Sequence, residues 1–150
     1  MPEPAIAVRG LSKHFGPIVA VDDVDFSIPM GSATALLGGN GAGKTTTISM
    51  LLGLLLPTKG TVSVLGEDIL RHRYRVLPRM NFSSPYVDLP RRLTAAENLR
   101  VYAQLYGLSN IRTRLRDVAA AFDLGEFMDR KVASLSAGQK TRVALAKALI

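Results

Sequence analysis

A glycine-rich stretch that also holds a lysine and a threonine carries the clearest chemistry in this sequence. It covers residues 38–45 and fits the spacing G-x-x-x-x-G-K-[ST]. Glycines permit tight turns and let backbone N–H groups approach an anion with no Cβ in the way. A lysine here reaches phosphate oxygens as a point charge, and the adjacent hydroxyl is a ligand for Mg²⁺. The stretch therefore predicts a phosphate-binding loop, with Lys44 on the phosphates and Thr45 on the metal ion.

The elements on either side of this loop fit that role. Residues 33–37 form a short apolar run, which is typical of a strand buried on both faces. Residues 43–52 predict a helix whose positive dipole end points at the phosphates. A glycine turn followed by a chance lysine is the alternative, and the order strand, loop, helix argues against it.

A second stretch of small residues, 135–139, precedes an alanine-rich helix. Ser136 and Gln139 have the spacing of a capping box, and local physics alone favours that structural role. Gly138 complicates it, because glycine in the first helical turn costs up to about 1 kcal/mol against alanine. A glycine at this position would be useful if an anion had to approach the N-terminus of this helix. A single compact domain offers no such ligand, whereas a head-to-tail dimer would bring the phosphate loop of one copy to this helix in another.

The composition limits the classes of function. Apolar residues make up 47% of the 150 and charged residues 21%, as in an ordinary soluble domain. No cysteine is present, which excludes disulfides, zinc–thiolate sites and thiol catalysis. The N-terminus lacks the pattern of a secretory signal, and the longest apolar run, residues 50–56, is too short to span a bilayer. Any membrane role must therefore come through a partner.

The formal net charge of +7 comes largely from arginine clusters. Binding to nucleic acid or anionic lipid is one interpretation, and a solvated face is the other. We favour the solvated face and expect no nucleic acid, because no aromatic stacking platform or recognition helix accompanies the arginines.

Hydrophobic periodicity predicts strands first and helices afterwards. Strands are expected at residues 6–11 with a break at Gly10, at 18–21, 24–28 and 61–65, and near 80–83, with a loop over 12–17. From its residue type alone, Phe15 in that loop is expected to cap a local core. Thr94 and Glu97 predict a capping box for a helix ending at Gly107. Asn110 is expected to cap the next helix.

Together these motifs resemble the nucleotide-binding domain of ABC transporters over essentially the whole chain. Residues 38–46 resemble the Walker A loop, residues 135–139 the family's signature motif, and the helical insertion between them has about the usual length. Residues 93–99 and 106–108 further resemble the drug- and lipid-exporter branch. The resemblance implies an α/β fold: a P-loop NTPase core and antiparallel β subdomain in residues 1–84, a helical ABC subdomain in 85–134, and the signature with its helix in 135–150.

The resemblance also implies ligands and residue roles. ATP and Mg²⁺ are the expected cofactors, with Thr45 as the metal ligand. Phe15 takes the place of the aromatic, commonly tyrosine, that stacks on adenine, which reverses the core interpretation. Ser136 and Gly138 would contact the γ-phosphate bound to the opposite copy. The implied nucleotide-binding residues are Phe15, Gly38, Gly39, Asn40, Gly41, Ala42, Gly43, Lys44, Thr45, Thr46, Leu135, Ser136, Ala137, Gly138 and Gln139.

Three departures from the family pattern stand out. Gly39 replaces the commoner proline, and a glycine is permissive there. The glutamine of the family's Q-loop falls at Pro85, whose side chain cannot bind Mg²⁺ or position water. The Mg²⁺-binding aspartate, the catalytic glutamate and the switch histidine of the family would all follow Ile150, so no catalytic residue is expected among these 150. The chain is expected to be the N-terminal part of the domain, ending before the Walker B strand, with apolar surface left uncovered.

The implied function is that of an energy-coupling ATPase subunit. Its expected partners are a transmembrane permease subunit and a second copy of itself or a homologous ABC subunit. Its expected place is the cytoplasmic face of the membrane, held there by the permease. Two alternatives stay open: a soluble ABC ATPase associated with ribosomes or nucleic acid, and a nucleotide-binding regulatory module that does not hydrolyse ATP.

Overall fold

Alternating apolar and polar residues build an antiparallel sheet in the first half of the chain. The computed structural model describes residues 3–83 and 89–150. Strands β1 (Ile6–Phe15) and β2 (Ile18–Ile28) form a hairpin that turns at Gly16. Strand β3 (Lys59–Val64) pairs with the other edge of β1, and the short β4 (Glu67–Asp68) pairs with β3. The strand order is β2-β1-β3-β4, and every neighbouring pair is antiparallel.

Strand β1 is longer than the sequence predicts. The expected break at Gly10 and the expected loop over residues 12–17 are both wrong, since β1 runs without interruption to Phe15. Gly10 instead adopts φ +55° at a shift in register, and its N–H donates to the Asp25 carboxylate at 3.0 Å. The Ser12 hydroxyl accepts the N–H of Asp23 at 2.9 Å. An antiparallel pair absorbs such an irregularity as a bulge, so a local turn signal does not end the strand.

The predicted buried strand at residues 33–37 is also wrong. These residues have no regular secondary structure and are exposed, with Leu37 retaining 86% of its accessible surface. A buried parallel strand needs hydrogen-bonded neighbours at its edges and helices on its faces. In the described ranges, no strand pairs with residues 33–37, so the apolar run alone does not produce one. The strand expected near residues 80–83 is likewise not formed.

The core of the first half lies between the sheet and helix α1 (Lys44–Leu51). Met50 of α1 is fully buried against apolar residues of the strands, which alternate between this face and the opposite one. A short helix α2 (Arg73–Val76) and a 3₁₀ turn (Leu77–Arg79) follow the sheet. The buried members of this core are Val8, Leu11, Val21, Met50, Val62, Val64, Ile69 and Val76.

In residues 89–150, the structure describes three α-helices: α3 (Ala95–Leu105), α4 (Ile111–Ala121) and α5 (Ala137–Ala148). The capping box predicted at Thr94 and Glu97 is confirmed, with both reciprocal bonds formed. Asn110 precedes α4 as predicted, but its side chain makes no capping bond. Leu115 and Val118 of α4 are buried, and the turns Gly125–Phe127 and Val132–Ser134 lead to α5.

The chain divides into two compact units, Met1–Met80 and Asn81–Ile150, each with its own apolar core. The finer division at residues 84 and 134 stays a prediction. Among the described helices, none combines the length and apolar character needed to cross a bilayer.

Candidate functional site

The glycine-rich loop joins α1 through a residue that must be glycine. Gly43 immediately precedes α1 with φ +77°, a conformation that glycine adopts without strain. A Cβ on Gly43 would lie 2.3 Å from the carbonyl oxygen of Ala20 in β2. The loop therefore packs directly on the backbone of the sheet, and this contact fixes where α1 begins.

The N-terminus of α1 presents unpaired backbone donors. A helix offers no acceptor to the N–H groups of its first turn. Thr47 is the first residue whose N–H is bonded along the helix, to Gly43 O at 2.8 Å. In the described part of the chain, the N–H groups of Lys44, Thr45 and Thr46 have no backbone acceptor, and no side chain caps this end. With no acidic residue in its first turn, this dipole end can bind an anion.

The ammonium of Lys44 folds back over the loop that precedes it. Its Nζ donates to the carbonyl oxygens of Gly38 at 2.7 Å and Gly39 at 2.6 Å. These bonds hold the positive charge at the loop. Lys44 is also the first residue of α1, so the charge and the unpaired amides belong to the same short segment. A phosphate oxygen in this loop would replace the carbonyls as acceptor and form a charge-assisted bond. The predicted grouping of Lys44 with the loop is therefore present in the fold.

Thr45 fits the metal role as far as its own chemistry goes. It is exposed in the first turn of α1, and its hydroxyl makes no bond to the rest of the described chain. A hydroxyl oxygen is the kind of hard ligand that Mg²⁺ accepts. No cluster of three or more His, Asp or Glu side chains suited to a metal occurs in residues 3–83 and 89–150. Thr45 would thus be one ligand among the phosphate oxygens and water that Mg²⁺ usually retains.

Phe15 lies at the end of β1 with 47% of its surface exposed. The Lys13 ammonium lies 5.0 Å from the centre of its ring and also donates to the carbonyl oxygen of Leu56 at 2.9 Å. A cation at this distance is attracted by the face of the ring. Phe15 is thus not buried as a core residue, and the sequence analysis missed Lys13, whose i, i+2 spacing along β1 was the available signal.

The N-terminus of α5 combines a formed cap with free donors. The Ser136 hydroxyl accepts the N–H of Gln139 at 3.2 Å, and the Gln139 side chain accepts the N–H of Ser136 at 3.0 Å. This confirms the predicted capping box. The N–H groups of Ala137 and Gly138 find no acceptor in the described chain. The cap uses a lone pair of the hydroxyl, so its proton stays available to an anion.

Gly138 has no packing reason to be glycine. A Cβ built on it meets no atom within 4 Å, and its φ is not positive. Alanine would fit the fold of this unit and would favour the helix. Within the described chain, no steric constraint therefore requires glycine at this position. Leu135, by contrast, is buried in the core of the second unit.

Comparison with known proteins decides the family. The family model described as ABC transporter matches residues 21–150, which include both the loop at 38–46 and the stretch at 135–139. The chain belongs to the ABC transporter family. Its fold agrees with this, since it superimposes on the ATP-binding subunit of an ABC transporter with a TM-score of 0.81 at 31% identity, covering 96% of this chain and 61% of that one.

Two of the three relatives described next are named for export or for drug resistance. It is 37% identical to the Nod factor export ATP-binding protein I of Ralstonia nicotianae, over 98% of this chain and 46% of that protein. It is 38% identical to the ABC transporter ATP-binding protein NatA of Bacillus subtilis, over 89% of this chain and 55% of that protein. It is 36% identical to the daunorubicin/doxorubicin resistance ATP-binding protein DrrA of Streptomyces peucetius, over 99% and 46%. The chain thus spans about half the length of these curated relatives.

The position expected for the Q-loop glutamine, Pro85, lies outside the described residues. The structure does reveal a residue that the sequence analysis missed in the second unit. Lys147, near the end of α5, is buried with 8% of its surface exposed. Its signal in the sequence was a lysine at helical spacing from the apolar Val143 and Ile150.

Proposed function

We propose that this chain binds Mg-ATP as the energy-coupling subunit of an ABC membrane transporter, and that the transporter is an exporter. The unsatisfied amides at the start of α1, beside the Lys44 ammonium, are the observation that carries the proposal. The names of the Nod factor export relative and of the daunorubicin/doxorubicin resistance relative support export as the direction.

The roles of the loop residues follow from their positions. The amides of residues 41–46 and Lys44 hold the phosphates, and Thr45 offers its hydroxyl to Mg²⁺. The bound metal neutralises phosphate charge. Phe15 stacks on adenine with one face while Lys13 stays on the other. These groups bind and orient, and no side chain here forms a covalent bond to the nucleotide.

The N-terminus of α5 is the reason for proposing a dimer. Ala137 and Gly138 offer two free amides, and Ser136 offers a hydroxyl proton, to the γ-phosphate held by another copy. A head-to-tail pair places these donors where charge develops during hydrolysis, so the catalytic effect is positioning and electrostatics. We expect the protein to act at the cytoplasmic face of the membrane, bound to a permease subunit.

The experiment is calorimetry of Mg-ATP binding to the complete gene product, followed by steady-state turnover. We expect the wild type to bind and hydrolyse ATP. Lys44→Ala, which removes a charge-assisted bond of about 1.5–3 kcal/mol, should weaken binding by at least about tenfold. No heat of binding in the wild type, or unchanged affinity in Lys44→Glu, would overturn the proposal.

A matched pair at Thr45 tests the metal role. Thr45→Ser keeps the hydroxyl and should keep the Mg²⁺ dependence of ATP binding, whereas the isosteric Thr45→Val should lose it. Equal Mg²⁺ dependence in both variants would argue against Thr45 as a ligand. The transporter role is tested separately, by co-purification with a membrane subunit that requires no added ATP.

A further inference from the structure

A buried charge ties helix α5 to the first residues of the second unit. The Nζ of Lys147 lies 3.4 Å from the carbonyl oxygen of Phe82 and 5.0 Å from the centre of the Tyr102 ring in α3. Only 8% of the lysine surface is exposed. Within the described residues, no carboxylate lies within 4 Å of this ammonium. Burying a charge without an opposite charge costs stability, so packing alone does not explain a lysine here.

The side-chain amide of Asn81 bonds this segment to α5 and to Tyr106, the residue that follows α3. The Asn81 amide nitrogen donates to the carbonyl oxygen of Lys147 at 3.2 Å, which is one of the carbonyls that the helix leaves unpaired at its end. The Asn81 amide oxygen accepts the hydroxyl of Tyr106 at 3.1 Å and the N–H of Phe82 at 2.8 Å. Asn81 directly follows Met80, the last residue of the first unit. These hydrogen bonds therefore hold the chain at the beginning of the second unit.

The end of α5 is also held from a third direction. The Arg114 guanidinium of α4 donates to the carbonyl oxygens of Leu149 and Ile150. Helix α5 has 12 residues and is therefore about 18 Å long, so a tilt of about 10° at this end moves its other end by about 3 Å. That displacement is the length of a hydrogen bond. Anchoring the C-terminal end of α5 thus decides where the free amides of Ala137 and Gly138 lie.

We propose that Lys147 is a positioning residue for hydrolysis. Its ammonium fixes α5 to the entry segment Asn81–Phe82, and so sets the orientation in which the Ser136 end of α5 meets a nucleotide. The inference rests on the proposed function, because that function gives the α5 end its ligand. It assigns Lys147 no contact with nucleotide.

The first test measures the anchor without any nucleotide. Chymotrypsin cleaves after aromatic residues, and cleavage follows the population of locally open chain. Tyr74, which is 83% exposed in the first unit, serves as an internal reference for cleavage at Phe82. In Lys147→Met, the ratio of cleavage at Phe82 to cleavage at Tyr74 should rise by about 2- to 30-fold. Lys140→Met makes the same change on the same helix without contact to Phe82, and should leave the ratio unchanged.

The second test measures turnover in the complete gene product. Lys147→Met should lower kcat for ATP by about 2- to 30-fold while KM stays within about twofold. Its Tm should be unchanged or higher, because the variant removes a buried charge. Lys147→Arg, which keeps a donor and a cation over Tyr102, should restore turnover. Tyr102→Leu should reproduce part of the loss, whereas Tyr102→Phe, which keeps the ring, should not.

The outcomes separate this inference from the proposed function. An unchanged cleavage ratio in Lys147→Met overturns the anchor, and an increased ratio with unchanged kcat overturns the positioning role. A fall in kcat accompanied by a lower Tm that Lys147→Arg does not rescue shows a structural role and also overturns it. If the wild type fails to turn over ATP, the proposed function fails, and the positioning role fails with it, while the cleavage ratio still decides whether the anchor exists.

Discussion

The carbonyl oxygen of Ala20 in β2 lies 2.3 Å from where a Cβ on Gly43 would be. No residue that has a Cβ fits there unless either the strand or the start of α1 moves. The loop that precedes α1 is therefore held by direct contact with the sheet, and its shape is part of the fold.

We predict that Gly43→Ala destabilises the first unit by at least about 2 kcal/mol, the sum of left-handed backbone strain and a steric clash. Chemical denaturation followed by circular dichroism measures this loss. Gly41→Ala is the matched control, because Gly41 also has positive φ, +81°, but no atom lies within 4 Å of its Cβ position. It should cost only the backbone strain, about 1–2 kcal/mol. Equal losses in the two variants would contradict the importance of the Ala20 contact.

Substitution of Ser136 can separate its role as a helix cap from its proposed role as a donor to phosphate. Aspartate caps a helix as well as serine does, so Ser136→Asp should keep the stability of α5. A carboxylate has no proton to give and repels phosphate, so turnover should fall by at least about tenfold. Thermal unfolding and steady-state ATP hydrolysis provide the two readouts.

Ser136→Ala is the complement to that variant, because it removes the cap at a cost of about 0.5–2 kcal/mol. If Ser136→Asp hydrolyses ATP like the wild type, the hydroxyl acts as a cap and nothing more.

Gly138→Ala is expected to raise stability and lower activity together. Nothing in the described chain opposes a methyl group at this position, and alanine favours the helix by up to about 1 kcal/mol. The same methyl group would stand between the Gly138 amide and an approaching phosphate. Differential scanning calorimetry should show a higher Tm, and turnover should fall. Gly125→Ala, which also has open space around its Cβ position, serves as the control and should leave turnover unchanged.

Phe15 is tested by comparing ligands with and without a base. Phe15→Leu removes the stacking surface, which is worth about 1–3 kcal/mol per base, so ATP should bind at least about fivefold more weakly. Binding of inorganic tripolyphosphate should not change. Phe15→Tyr keeps the ring and should keep ATP affinity. Parallel losses for ATP and tripolyphosphate in Phe15→Leu would show that the residue shapes the loop and does not contact the base.

The sequence predicted those features that depend on neighbours a few residues away. The capping boxes at Thr94 and Ser136 formed because donor and acceptor are three positions apart and need no other part of the fold. The motif spacing gives one reason for a glycine at position 43. The contact with the Ala20 carbonyl oxygen gives a second, steric reason.

Features that depend on distant partners were not predicted correctly. Residues 33–37 have the composition of a buried strand, but composition supplies neither the neighbouring strands nor the covering helices. Lys147 is a similar case, because a lysine near a helix end is ordinarily an exposed charge that favours the dipole. Its 8% exposure, with the Phe82 carbonyl oxygen and the Tyr102 ring beside its ammonium, becomes visible only in the folded structure.

The helices of this chain differ in how their first turns are completed. Helices α3 and α5 carry reciprocal side-chain caps, whereas α1 follows Gly43 and has none. An anion bound at the start of α1 would therefore act as the cap that a serine or an aspartate side chain provides in other helices. Its stabilisation of the fold would increase with the logarithm of its concentration. In a cell, the stability of this first turn would then depend on the concentration of the nucleotide. A fall in that concentration would allow the start of α1 to fray.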